Sequence, residues 1–155
     1  MALHRADLPS DITDLLFAGT VIPAHPLALD AARAFDPVRQ RALARYYIDA
    51  GSGGLAVGVH ATQFEIRDVG LYEPVLECAM ETAQDWATDP LIMIAGLAGG
   101  TAQAVEEAKT AVAIGYHAGL LSLAAMKGAS DDELIAHCTA VAAEIPLVGF
   151  YLQPA

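Results

Sequence analysis

The sequence predicts an α/β fold built on a parallel sheet, and three observations carry that reading. Short apolar runs alternate with longer amphipathic segments throughout the 155 residues. The runs start at intervals of roughly 28–36 residues with a helical pattern in each gap, the spacing of βαβ units. The runs are also continuously apolar rather than alternating, so each strand is buried on both faces, as in a parallel sheet covered by helices. Two architectures are made of such units: the doubly wound open sheet and the (β/α)8 barrel.

The elements follow in order. Ala18–Ile22 (AGTVI), ended by Pro23, reads as a first strand. Asp36-Pro37 opens a helix, because Asp is a favoured N-cap and Pro fits the first helical turn; that helix runs to about Ala50 and stops at Gly51. Gly54–Val59 (GLAVGV) is a second strand, and Leu71 to about Trp86 carries apolar residues at helical spacing. Leu91–Ala95 (LIMIA), between Pro90 and Gly96, is a third strand. Thr101–Ile114 is a helix closed by Gly115, which suits a left-handed cap. Ala118–Leu123 is a fourth strand; Ser130 and Glu133 form a capping box that starts a helix to about Ala143. Leu147–Leu152 (LVGFYL) is a fifth strand.

The composition sets further bounds. The length suits one domain over residues 1–155, and with 55% hydrophobic and 17% charged residues the chain can bury a substantial core. There are 8 Lys and Arg against 19 Asp and Glu, a formal charge of −11, which repels phosphate backbones and anionic membranes. Cys78 and Cys138 form no CxxC pair and fall in alanine-rich helical segments, where each reads as a small buried hydrophobe. The N-terminus has no basic-then-apolar leader pattern. The longest uncharged run, Thr110–Met126, holds Gly115, His117 and Gly119 and is shorter than the roughly 20 apolar residues of a spanning helix. A cytoplasmic, soluble protein is expected.

Particular residues go further. Gly51–Phe64 (GSGGLAVGVHATQF) resembles the second strand and the G-T-T-G-E loop of the dihydrodipicolinate synthase / N-acetylneuraminate lyase family. Leu91–Leu123 is similar to that family's third strand, following helix and fourth strand. Ile145–Pro154 (IPLVGFYLQP) resembles its P-x-x-x-Y-N-x-P fifth strand, and Gly19–Leu27 (GTVIPAHPL) its first strand and T-P-F loop. The resemblance runs in the family's order from Gly19 to Ala155.

The resemblance implies a (β/α)8 TIM barrel, of which these residues form the N-terminal part: about five βα units with strands in sequential order, ending after the fifth. It implies Schiff-base lyase or aldolase chemistry on pyruvate or a related 2-oxo acid, with no cofactor and no metal. It places a proton-relaying tyrosine at Tyr151 and the substrate-carboxylate loop at Gly58, Val59, His60, Ala61, Thr62 and Gln63. Only the first glycine of G-T-T-G-E is retained, so backbone N–H groups rather than hydroxyls would hold the carboxylate, and His60 becomes a candidate hydrogen-bond partner for Tyr151.

The family's imine-forming lysine belongs to a sixth strand, whereas the lysines here are Lys109, on an outer helix, and Lys127, in the loop after the fourth strand. An imine nucleophile needs its ammonium destabilised by its surroundings, and the local sequence of neither supplies that. The enzyme would therefore be truncated with respect to its chemistry.

Other residues read as structural. His25, His60 and Glu65 share no spacing that would fix a metal site. His117 falls at the opposite end from the chemistry, while His4 and His137 read as surface residues. Gly96–Gly100 lacks a phosphate-loop lysine and reads as a tight turn. Two alternatives stay open: a five-stranded flavodoxin-like binding module, and a non-catalytic half-barrel that pairs with itself or a partner through its uncovered edges. Homo-oligomerisation is the expectation in either barrel reading.

Overall fold

The structure, a computed structural model, describes residues 2–149. After a 3-10 turn at Arg5–Asp7, the first α-helix, α1 (Ser10–Ala18), ends at Gly19, whose positive φ of 80° turns the chain while its N–H returns to the Leu15 carbonyl. This corrects the expected strand at Ala18–Ile22. Ile12, Leu15 and Leu16 carry an apolar helical stripe, and Ala18 is its last residue. The following segment still lies parallel to the sheet, bridged at Ala24 to Ala56, with His25 N–H donating to Ala56 O and Ala56 N–H to Pro23 O. Pro23 has no N–H to give the next bond of the ladder, so the pairing stops at a single bridge.

The other elements fall close to expectation: α2 (Pro37–Asp49), β1 (Gly54–Val57), α3 (Tyr72–Trp86), β2 (Ile92–Leu97), α4 (Thr101–Ile114), β3 (Ala118–Leu121), α5 (Asp131–Ala142) and β4 (Leu147–Val148). Local chemistry sets the boundaries. The Asp36 carboxylate accepts the Arg39 N–H, Ser130 and Glu133 complete their capping box, and Gly115 closes α4 with φ 110°. The predicted fifth strand is seen as Leu147–Val148; Gly149 is not part of it, and residues 150–152 lie outside the described residues.

The sheet is parallel throughout, in the order β1-β2-β3-β4, with the Ala24 segment beyond β1. A flavodoxin-like order would put the first strand between the second and third. Here the sequential order is that of a partial (β/α)8 barrel, which corrects the flavodoxin-like alternative.

The two sheet faces bury different layers. Leu55, Val57, Met93, Ala95 and Leu97 meet α2 to α5, where Ala104, Ala108 and Ala111 of α4 are fully buried. Alanine at those positions brings the helix close to the sheet, and part of the alanine-rich composition is spent there. Ala56, Ile92, Ile94 and Ala118 face the other way and are met by Ile12, with Leu15 and Leu16 alongside. No helix among the described residues is long and apolar enough to cross a membrane.

Candidate functional site

In a parallel barrel the strand C-termini converge on one end, and functional loops gather there. From β1 the chain enters Gly58 with φ 77°, then a short 3-10 turn at His60–Thr62 and a second at Phe64–Arg67 before α3. Thr62 latches this loop: its hydroxyl donates to His25 O at 2.6 Å and accepts the Gly58 N–H at 3.0 Å. Both hydrogen-bonding roles of that hydroxyl are therefore internal. Of the six loop residues expected to meet substrate, Gly58, Val59 and Thr62 are buried, Ala61 is half-buried, and His60 and Gln63 are exposed. Gln63 has φ 69°, so the loop holds a non-glycine residue in left-handed backbone.

Behind the loop lies a network that the sequence reading missed. The Arg67 guanidinium forms a bidentate pair with Glu107 of α4, Nε to Oε1 at 2.8 Å and Nη2 to Oε2 at 2.9 Å, and both side chains are 9% exposed. Arg67 also donates to the carbonyls of Gly58 and Gly96. Tyr72 O–H donates to the same Gly96 carbonyl at 2.8 Å, and burial pushes its phenol well above the usual range. The remaining capacity of Glu107 is filled by Ala98 N–H and the Gln103 amide. One guanidinium thus joins the ends of β1 and β2 to α4. Arg67 and Glu107 lie on different elements, so no local sequence pattern pairs them.

A cavity of about 600 Å³ opens beside the loop, between Val59, His60 and Phe64 on one side and the chain after β3 and around β4 on the other. Ser122, just after β3, lines it, as does the half-buried Cys138. A larger cavity, about 810 Å³, lies at the opposite end of the strands around Gly51–Gly53 and Trp86, whose indole N–H is bound to Asp49.

The histidines sort differently from expectation. His25 is fully buried: its Nδ1 lies 2.6 Å from the Gln40 amide nitrogen, which also donates to Pro26 O, while Gln40 Oε1 accepts Ala28 N–H. The same Nδ1 also lies 3.0 Å from Pro26 O, so it faces both a donor and an acceptor, while Nε2 has no partner among the described residues. Burial lowers its pKa. His137 is not a surface residue, as the sequence suggested. It is 1% exposed, packed between α5 and α4 with Nδ1 2.8 Å from Thr101 Oγ1. His4 is exposed, and His117 accepts the Met93 N–H at the start of β2.

Lys109 is exposed and paired with Glu106 at 2.7 Å; Lys127 is exposed in the loop after a short turn at Ala124–Met126. Tyr151, the expected proton relay, lies outside the described residues. Among the described residues, no group of three or more His, Cys, Asp or Glu is placed to hold a metal ion.

A parallel sheet in sequential order, with loops and a cavity at the strand C-termini, is the arrangement of part of a (β/α)8 barrel. Comparison with solved structures narrows the type. The chain superimposes on CdNal of Clostridium difficile, solved with mannosamine (TM-score 0.73, 18% identity, covering 83% of this chain and 44% of that one). It matches dihydrodipicolinate synthase of Aquifex aeolicus equally (TM-score 0.73, 22% identity, 83% and 43%). YagE of Escherichia coli K12, a dihydrodipicolinic acid synthase family protein solved with pyruvate, gives a TM-score of 0.70 at 18% identity, covering 81% and 42%. The fold is therefore a partial TIM barrel of the N-acetylneuraminate lyase / dihydrodipicolinate synthase type, and the chain spans less than half the length of these structures. No family model matches the sequence, and neither does any curated protein.

Proposed function

We propose that residues 1–155 are one partial-barrel unit of a cytoplasmic lyase or aldolase of dihydrodipicolinate synthase type, acting on pyruvate or a related 2-oxo acid. The observation that carries this reading is the Gly58–Gln63 loop. It resembles the family's carboxylate-binding loop in sequence, and it stands at the C-terminal end of β1 against the 600 Å³ cavity. The N–H groups of Gly58, Thr62 and Gln63 are bonded within the loop, so the carboxylate is held by N–H groups between them, a contact that needs no particular side chain. Tyr151, as the resemblance implies, relays protons to and from the substrate. The imine, formed when a lysine amine adds to the 2-oxo carbon and water leaves, requires a lysine other than Lys109 or Lys127. Lys109 is committed to Glu106 on the outer layer, and Lys127 is exposed rather than enclosed. The same unit self-associates as a homo-oligomer.

Titrating pyruvate into this chain while following backbone amide resonances, then adding borohydride, tests the reading. Shifts centred on Val59 to Gln63 with an unchanged protein mass are expected. A stoichiometric reduced adduct on Lys127, or shifts that bypass the loop, would overturn it.

A further inference from the structure

The cavity beside the loop bears on which 2-oxo acid is taken, an inference that rests on the function proposed above. Its described walls are largely aliphatic or aromatic: Val59 and Phe64 from the loop, Leu120 and Leu123 at the end of β3, Leu147 and Val148 from β4. No charged side chain lines it among the described residues, and the polar side chains there are His60, Ser122 and the Cys138 thiol. A polyhydroxylated substrate placed against such walls would bury hydroxyls without partners, whereas an apolar substituent gains from leaving water. The volume, about 600 Å³, accommodates far more than the methyl group of pyruvate.

Phe64 stands out in this wall. It is 39% exposed, and its ring centroid lies 5.6 Å from the guanidinium carbon of Arg67. Arg67 is itself fixed by Glu107 and by the carbonyls of Gly58 and Gly96. The ring is thus backed by a cation anchored on three residues, and such preorganisation favours a ligand that packs against it. We infer that the site takes a 2-oxo acid bearing an apolar alkyl or aryl substituent, and that Phe64 is the residue that selects for it.

The test compares three 2-oxo acids on the full chain: pyruvate, phenylpyruvate and the polyhydroxylated 2-keto-3-deoxygluconate, each followed at the Val59, His60 and Leu123 amides. Phenylpyruvate should bind about tenfold more tightly than either competitor, the discrimination an apolar pocket gives for a few added carbons. Phe64→Ala should reduce that ratio to within about threefold, and Phe64→Leu, which keeps an apolar wall, should retain most of it. Amide spectra confirm that each variant is folded. If the sugar acid binds as tightly as phenylpyruvate, or Phe64→Ala leaves the ratio intact, the inference falls while the 2-oxo acid reading stands. If none of the three perturbs the loop, both fall.

Discussion

At Gly96 the ends of β1 and β2 come so close that a Cβ would lie 2.3 Å from the Gly58 carbonyl oxygen. Only glycine permits that approach, and it brings two carbonyls within reach of one guanidinium. Arg67 and Glu107 are both nearly buried, so removing one partner leaves an uncompensated charge. Arg67→Ala should destabilise the fold by about 3–5 kcal/mol, while the paired replacement Arg67→Met with Glu107→Leu should cost far less. Denaturant unfolding of the two variants separates the outcomes, and equal losses would show that the ion pair is not what makes the single substitution costly. Gly58 was legible in the sequence because it falls in a recognisable loop. Arg67 and Glu107 were not, because their partnership exists only once the turn after β1 is folded against α4.

Among the elements, those with local signals were found and those without were misplaced. Asp36-Pro37, Ser130 with Glu133, and Gly115 each act within one helical turn, so their helices begin and end near where the sequence puts them. α1 was overlooked although Ile12, Leu15 and Leu16 have helical spacing, and the strand expected after it is reduced to one bridge by Pro23. Two histidines shielded from water sit where elements meet. His25 Nδ1 lies 2.6 Å from the Gln40 amide of α2, and His117 Nδ1 accepts the Met93 N–H from β2. Burial lowers the pKa of both below the ordinary 6.5. The unfolded chain then takes up protons at a higher pH than the folded one, so stability is flat above about pH 6.5 and falls as pH drops through it. The loss should reach at most about 1.4 kcal/mol per pH unit for each ring, and carboxylates titrate mainly below this window. Denaturant midpoints at pH 7.5 and 5.5 check this; equal midpoints would contradict it.

Over the whole molecule, a well-packed outer layer contrasts with apolar surface left along the last strands. Leu120, Leu121 and Val148 are only half-buried and Leu123 is 42% exposed. Burying that surface favours association, while a net charge of −11 opposes it and weakens its opposition as salt rises. Sedimentation at micromolar concentration should therefore show a dimer or larger species, more populated at higher salt. A monomer at every salt concentration would refute self-association.

The amino-acid sequence alone determined the βα alternation, the parallel sheet and most helix boundaries, because hydrophobic periodicity and capping act over a few neighbouring residues. It also placed the Gly58–Gln63 loop at the C-terminal end of a strand. Tertiary structure decided the rest. It made Thr62 an internal latch, buried His25 and His137, joined Arg67 to Glu107 and set Phe64 at the cavity wall. Those outcomes depend on which distant side chains share a space and what they must satisfy there, and the order of residues along the chain does not encode that locally.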